Sequence, residues 1–119
     1  MSPTTHPKAL EAIQNFHANI IKEVSEHVSN DRIVVVGMSQ NPVVKKGRRL
    51  LEKQGLEYTY LEYGSYFSQW KERLAIKMWS QWPTFPQIFI NGLLIGGASD
   101  LQALIDSNEL QELLDGSNE

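Results

Sequence analysis

The sequence contains no cysteine among its 119 residues. Without a thiol the chain cannot form a disulfide, supply a thiolate nucleophile, ligate an iron–sulfur cluster by itself or build a zinc site on sulfur. The three histidines, His6, His17 and His27, are separated by eleven and ten residues, whereas a metal-binding pair on a helix needs a spacing of three or four. These absences argue against thiol chemistry and against a metal site.

Positive charge and long apolar runs are also scarce. Eleven Lys and Arg stand against fourteen Asp and Glu, for a net charge of -3, which argues against nucleic acid as the main partner. No apolar run reaches the length of about 18 residues that is typical of a membrane span. Residues 1–7 contain no stretch resembling an export signal. We therefore expect a cytoplasmic protein that binds neither nucleic acid nor a membrane.

The hydrophobic pattern predicts an α/β chain that forms one domain. Apolar residues recur every three or four positions from Leu10 to Val28, which predicts a long N-terminal helix. The β-branched run between Arg32 and Met38 is typical of a central strand that is covered on both faces. We therefore expect the chain to begin with a helix followed by a strand, and helices and strands to alternate after them.

The next helix has a clear start. Asn41 precedes Pro42, and asparagine can cap free backbone amides while proline is harmless at the first helical position. This helix is expected to run to about Gln54, with Gly55 as its stop. Alternation in residues 56–63 predicts a half-buried strand after it.

The second half of the chain is predicted to contain a helix, a hairpin and two short helices. Asn91-Gly92 separates two apolar runs and is a strong hairpin signal. The first expected element is a helix that contains Trp70 to Met78 and ends before Trp82. Strands are expected over 86–90 and 93–95. The turn at Gly96-Gly97 should lead into a helix containing Leu101, Leu104 and Ile105, followed by a short helix over 110–114.

The segment from Trp82 to Asp100 reads WPTFPQIFINGLLIGGASD and resembles the glutaredoxin family, most closely its monothiol branch. The resemblance spans roughly Arg32 to Leu114. It implies a thioredoxin-like α/β fold with a four-stranded mixed sheet and flanking helices, to which this chain adds an N-terminal helix. We expect a single glutaredoxin-like domain over residues 1–119, with a core of about 32–114 and tails at 1–7 and 115–119.

The resemblance also places the missing cysteine. Asn41 stands where the family has its nucleophilic cysteine, Val44 where it has the resolving cysteine or its monothiol replacement, and Met38 where it has a lysine. A helix N-terminus and a nearby cation favour the thiolate, but a carboxamide can neither exchange with a disulfide nor ligate a cluster as a thiolate does. The resemblance therefore implies no catalytic residue, no redox activity and no iron–sulfur cluster.

A glutathione-binding groove is better preserved. The resemblance implies a cis bond before Pro86, a turn that receives the γ-glutamyl end at the start of a helix, and a basic position that faces the glycyl carboxylate. The candidate ligand residues are Arg73, Lys77, Thr84, Phe85, Pro86, Gly97, Ala98, Ser99 and Asp100. A structural interpretation stays open, in which Pro86 and the glycines serve the fold, Asp100 caps the helix and Lys77 is solvated.

Two functions follow from the resemblance. The first is a non-catalytic module that binds glutathione or a protein partner through the groove and through an aromatic patch of Tyr66, Phe67, Trp70 and Trp79. The alternative is a glutathione-dependent enzyme in which bound glutathione supplies the only thiol. A glutathione-dependent activity above buffer would favour the second function over the first.

Overall fold

The structure, a computed structural model, describes residues 4–116. Residues 1–3 and 117–119, which are the outer parts of the two predicted tails, lie outside the described residues. The elements are α1 Pro7–Asn30, β1 Ile33–Gly37, α2 Pro42–Lys53, β2 Thr59–Glu62, α3 Trp70–Ser80, β3 Gln87–Ile90, β4 Leu93–Gly96, α4 Ala98–Asp106 and α5 Glu109–Leu114. None of the helices within residues 4–116 has the length and apolar character needed to cross a membrane.

The four strands form one mixed sheet in the order β2-β1-β3-β4. Strand β1 runs parallel to β2 and antiparallel to β3, and β3 pairs antiparallel with β4. All five residues of β1 are buried, as the apolar run predicted for a central strand. The mixed four-stranded sheet implied by the resemblance is confirmed.

Alternate residues of the central strand face two separate apolar cores. Val34 and Val36 pack with residues of α1 and α3, whereas Ile33 and Val35 pack with residues of α2, α4 and α5. This division follows from the period of two along a strand, which sends successive side chains to opposite faces. Helices therefore cover both faces of the sheet and fix the strand ends that surround the candidate site.

The N-terminal helix docks on the sheet through its second half only. Val24 and Val28 are buried in the core, and the hydroxyl of Tyr63, just after β2, donates a hydrogen bond to the carboxylate of Glu23. Residues 7–15 are all exposed. The amphipathic spacing is therefore used for packing near the C-terminal end of α1, while its first half projects from the domain.

Strand β2 is shorter than its alternating pattern predicted. The pattern indicated residues 56–63, but the strand covers only Thr59–Glu62. It is an edge strand whose pairing with β1 begins at Val34 opposite Thr59, and the chain before Val34 has only just left α1. Residues 56–58 precede this register and are not paired with β1. The hairpin was predicted correctly: Asn91 and Gly92 connect β3 to β4 with φ of 50° and 81°.

Candidate functional site

The side chain of Asn41 caps the N-terminus of α2. Its Oδ1 atom accepts hydrogen bonds from the backbone N–H groups of Val43 at 2.9 Å and Val44 at 3.0 Å. The predicted N-cap is therefore confirmed. Val44 is buried, and a β-carbon built on Gly37 would lie 2.7 Å from its Cγ1 atom. Of the two positions assigned to cysteines, one holds a helix cap and the other a core side chain.

The position assigned to the family lysine is part of the apolar core. Met38 is only 6% exposed and belongs to the same cluster as Tyr63 and Phe85. A buried thioether brings no positive charge to the helix N-terminus, so one of the two influences that would favour a thiolate is absent. The other influence, the N-terminal end of α2, remains.

Strand β3 is preceded by a cis peptide bond between Phe85 and Pro86, as the resemblance implied. Both residues are buried, whereas Thr84 is exposed. The Pro86 ring lies against α2, with its Cγ atom 3.3 Å from a β-carbon position at Gly47, and its carbonyl oxygen lies 3.5 Å from the same position at Gly97. Pro86 thus lies directly before β3 and contacts both the middle of α2 at Gly47 and the start of α4 at Gly97.

The turn into α4 is shaped by Gly96 and Asp100. Gly96 has a φ of 114°, and a β-carbon there would lie 2.3 Å from Oδ2 of Asp100. That same carboxylate oxygen accepts a hydrogen bond from the Gly97 N–H at 2.9 Å. The open possibility that Asp100 caps the helix is realised. Ala98 is buried, whereas Ser99 and Asp100 are exposed.

The two candidate cations occupy different surroundings. Lys77 is half-buried, with its Nζ atom 5.5 Å from the centre of the Phe85 ring. Arg73 is 8% exposed, and its Nη1 atom donates to the carbonyl oxygens of Tyr63 at 2.9 Å and Ser68 at 2.5 Å. Lys77 therefore joins the residues around Pro86, while the guanidinium of Arg73 is engaged with the loop between β2 and α3.

A shallow groove of about 290 Å³ lies beside Lys77. It is lined by Lys77, Met78, Gln81, Trp82 and Pro83. We call it the Lys77 groove. Trp82 links it to α4, since its Nε1 atom is 4.0 Å from a β-carbon position at Gly97. The groove and the helix start are thus neighbouring parts of one surface.

Trp82 and Gln87 are site residues that the sequence reasoning missed. The side-chain amide of Gln87 donates to the Trp82 carbonyl oxygen at 3.0 Å. Within residues 4–116, however, the buried atoms Nε1 of Trp82 and Oε1 of Gln87 have no hydrogen-bond partner. Such atoms cost free energy unless a bound molecule satisfies them. The available signal was their position at the two ends of the WPTFPQ motif.

The aromatic patch is exposed, and hydrogen bonds hold the loop that carries Phe67. Phe67 is 95% exposed, and its backbone N–H donates to the hydroxyl of Ser65, whose own N–H donates to the hydroxyl of Ser68. Arg73 holds the carbonyl of the same Ser68. The loop is thus hydrogen-bonded into a shape that presents an apolar ring to solvent. The other members of the patch, Tyr66, Trp70 and Trp79, are also exposed.

A tyrosine cluster covers the outer side of α2. The guanidinium of Arg48 lies 3.8 Å from the centre of the Tyr60 ring and donates to the Tyr58 hydroxyl at 3.0 Å. The Tyr60 hydroxyl donates to Glu62 at 3.0 Å. Burial, with a smaller contribution from the Glu62 carboxylate, raises the pKa of Tyr60 to about 12. These hydroxyl groups therefore stay protonated and do not act as bases near neutral pH.

A larger cleft, of about 1050 Å³, lies at the opposite end of strands β1 and β2 and contains none of the predicted site residues. Its wall includes Asp31, whose carboxylate contacts His27 Nδ1 at 2.8 Å and accepts from Thr59 Oγ1 at 2.9 Å. These hydrogen bonds lower the pKa of Asp31. Within residues 4–116 no three His, Asp or Glu side chains are grouped so that they could hold a metal ion.

Comparison with known proteins places the chain in a family. The family described as Glutaredoxin matches residues 33–95. A "Glutaredoxin-like protein" of Dictyostelium discoideum is 53% identical over 88 residues, which cover 74% of this chain and 72% of that protein. "Monothiol glutaredoxin-4" of Schizosaccharomyces pombe is 31% identical over 88 residues, which cover 71% of this chain but only 35% of that longer protein.

The fold is also similar to that of solved glutaredoxin structures. A buckwheat glutaredoxin–glutathione complex superposes with a TM-score of 0.75 at 18% identity, covering 86% of this chain and 93% of that chain. At this level of identity the likeness concerns the fold alone. The thioredoxin-like architecture, the matched family and the identity to the Dictyostelium protein agree, and the chain belongs to the glutaredoxin family as a member that has no cysteine.

Proposed function

We propose that this protein is a non-catalytic glutaredoxin-like module that binds glutathione, or an extended peptide of similar chemistry, across the Lys77 groove and the start of α4. The observation that carries the proposal is a contrast within one site. Asn41 and Met38 replace the groups that would make and stabilise a thiolate, whereas the cis bond at Pro86 and the turn at Gly97 retain their geometry. The site therefore keeps the groups that would hold a ligand and lacks the thiol that would react with it.

The groove offers complementary groups for a small acidic peptide. The Lys77 ammonium supplies a positive charge for a carboxylate, and the N-terminus of α4 favours a second one. Phe85 lies just before β3, which begins at Gln87, so its backbone is outside the sheet ladder and can pair with an extended ligand. The Trp82 side chain lines the groove between these two ends and offers apolar contact area to a ligand.

Glutathione titration of the full chain, followed by NMR or calorimetry, tests the binding. We expect a response at millimolar glutathione and about tenfold weaker binding for Lys77→Gln, which is the loss expected for one charge-assisted hydrogen bond. Lys71→Gln is the matched control, because Lys71 is an exposed lysine of the same helix that lies outside the groove. The absence of any response at millimolar glutathione would refute the proposal.

A disulfide-reductase turnover assay with glutathione tests the non-catalytic part. We expect no rate above buffer, because the carboxamide of Asn41 cannot form a mixed disulfide. The alternative function, in which bound glutathione supplies the thiol, requires a rate that is lost in Lys77→Gln and kept in Lys71→Gln. Such a rate would replace the binding module by a glutathione-dependent enzyme.

A further inference from the structure

The Lys77 groove contains a sulfur atom although the chain has no thiol. Met78 lines the groove and is 61% exposed, as part of an apolar strip on α3 formed with Trp70 and Leu74 at spacings of four residues. The other methionine within residues 4–116 is Met38, which is 6% exposed in the core. The two thioethers thus differ strongly in access to dissolved oxidants.

We infer that Met78 is an oxidation site that makes the Lys77 groove responsive to peroxides. In the reaction, Sδ of Met78 attacks one oxygen of hydrogen peroxide, an S–O bond forms and the O–O bond breaks. The hydroxide that leaves takes the proton of the oxygen now bound to sulfur, so the thioether loses two electrons and becomes a sulfoxide while the peroxide's other oxygen leaves as water. The sulfoxide is returned to the thioether by methionine sulfoxide reductases, so the change is reversible.

The oxidation changes the chemistry of the groove wall. An apolar, flexible side chain becomes polar and gains a strong hydrogen-bond acceptor. That acceptor lies on the same groove as the Lys77 ammonium and competes for it with the carboxylate of a ligand. Occupancy of the groove by an acidic ligand therefore falls when Met78 is oxidised. This effect on glutathione rests on the proposed function, whereas the oxidation itself does not.

Peptide mass spectrometry of the full chain during treatment with dilute hydrogen peroxide measures the reaction. We expect Met78 to gain one oxygen about tenfold faster than Met38, because Met38 reacts only after local opening of the core. Met1 is followed separately in its own peptide. Equal rates at Met78 and Met38 would overturn the inference.

NMR of the indole N–H groups measures the consequence. Oxidation should shift the Trp82 resonance more than that of Trp70, which lies outside the groove, and a methionine sulfoxide reductase should restore it. In Met78→Leu, which keeps an apolar side chain of similar volume, peroxide should leave the Trp82 resonance in place. An unmoved Trp82 resonance in fully oxidised wild type would overturn the inference.

Glutathione titration separates this inference from the proposed function. We expect the oxidised chain and Met78→Gln to bind glutathione about three- to tenfold more weakly than the native chain. Peroxide treatment should leave the affinity of Met78→Leu at the value that this variant has before treatment. Unchanged affinity in an oxidised chain that still binds would overturn the inference. A native chain that binds no glutathione, but whose Trp82 resonance moves on Met78 oxidation, would refute the proposed function and support the inference.

Discussion

The Oδ1 atom of Asn41 accepts a hydrogen bond from the backbone N–H of Val44 at 3.0 Å, across the first turn of α2. The resemblance assigns these two positions to the family's cysteines. On that assignment, the side chain at the nucleophile's position accepts a hydrogen bond from the amide group at the position of its partner. The helix end that would stabilise a thiolate is therefore used to stabilise the helix itself.

Asn41→Cys should restore an activated thiol without restoring the whole site. The N-terminal end of α2 favours the anion, so the thiol pKa should fall below the value of about 8.5 for free cysteine. Gln54→Cys, at the C-terminal cap of the same helix, is the control and should have a pKa at or above that value. Thiolate absorbance against pH measures both. An unshifted or raised pKa at position 41 would contradict the placement of Asn41 at the active helix end.

Arg73→Gln should destabilise the domain and loosen the loop that presents Phe67. The buried guanidinium donates to the carbonyl oxygens of Tyr63 and Ser68, and removing it leaves both without their donor. We expect a loss of about 2 kcal/mol in the free energy of unfolding by urea. Lys71→Gln, on the exposed face of α3, should change it by less than about 0.5 kcal/mol. Equal effects of the two variants would show that the Arg73 contacts do not hold the loop.

Gly96→Ala should disrupt the turn into α4. A β-carbon there would lie 2.3 Å from Oδ2 of Asp100, and the φ of 114° is itself unfavourable for alanine. Loss of the Asp100 cap together with backbone strain should cost about 2–3 kcal/mol. Gly55→Ala is the control. Gly55 also has a positive φ, of 71°, but a β-carbon added there would meet no atom of residues 4–116 within 4 Å, so this substitution should cost only about 1 kcal/mol. Urea unfolding of both variants checks the difference.

Alkaline pH should weaken the domain partly through Tyr60. Its pKa rises from 10.0 to about 12 on folding, so the folded chain holds this proton more tightly than the unfolded chain. The associated stability is complete below about pH 10 and is lost as the pH rises through about 12. After allowance for solvent screening, the contribution is about 1 kcal/mol.

Urea unfolding across this pH range, in wild type and in Tyr60→Phe, measures the contribution. Tyr58 and Tyr63 also have raised pKa values because they are partly buried, so the variant should keep part of the alkaline loss. We expect a shallower decline in Tyr60→Phe than in wild type. Parallel declines would show that Tyr60 titrates alike in the folded and unfolded chains.

Much of the architecture is encoded in local patterns. The cap at Asn41, the stop at Gly55 and the turn at Asn91-Gly92 all depend on the chemistry of one or two residues, so the sequence was sufficient to predict them. The length of β2 could not be predicted in this way, because it depends on how far the pairing with β1 extends. Here the pairing with β1 begins only at Val34 opposite Thr59.

The candidate site likewise has features that could be predicted from the sequence and features that could not. The lack of any cysteine, and hence of a thiol in the chain itself, follows from composition alone, and the family motif assigned that lack to Asn41 and Val44. The choice of partners for Arg73 and Asp100 came from packing. Burial of Arg73 required hydrogen bonds that two loop carbonyls could supply, and the turn at Gly96 brought Asp100 onto the Gly97 amide.

The sequence by itself determined that the chain supplies no thiol and which elements it builds, because both depend on residue identity and short-range spacing. Only the tertiary structure decided which side chains share a surface. It placed Lys77 beside Phe85, Trp82 beside Gly97 and Met78 on an exposed groove, while it buried Met38. The physical reason is that burial and long-range contact depend on how the helices pack against the sheet, which no short segment specifies.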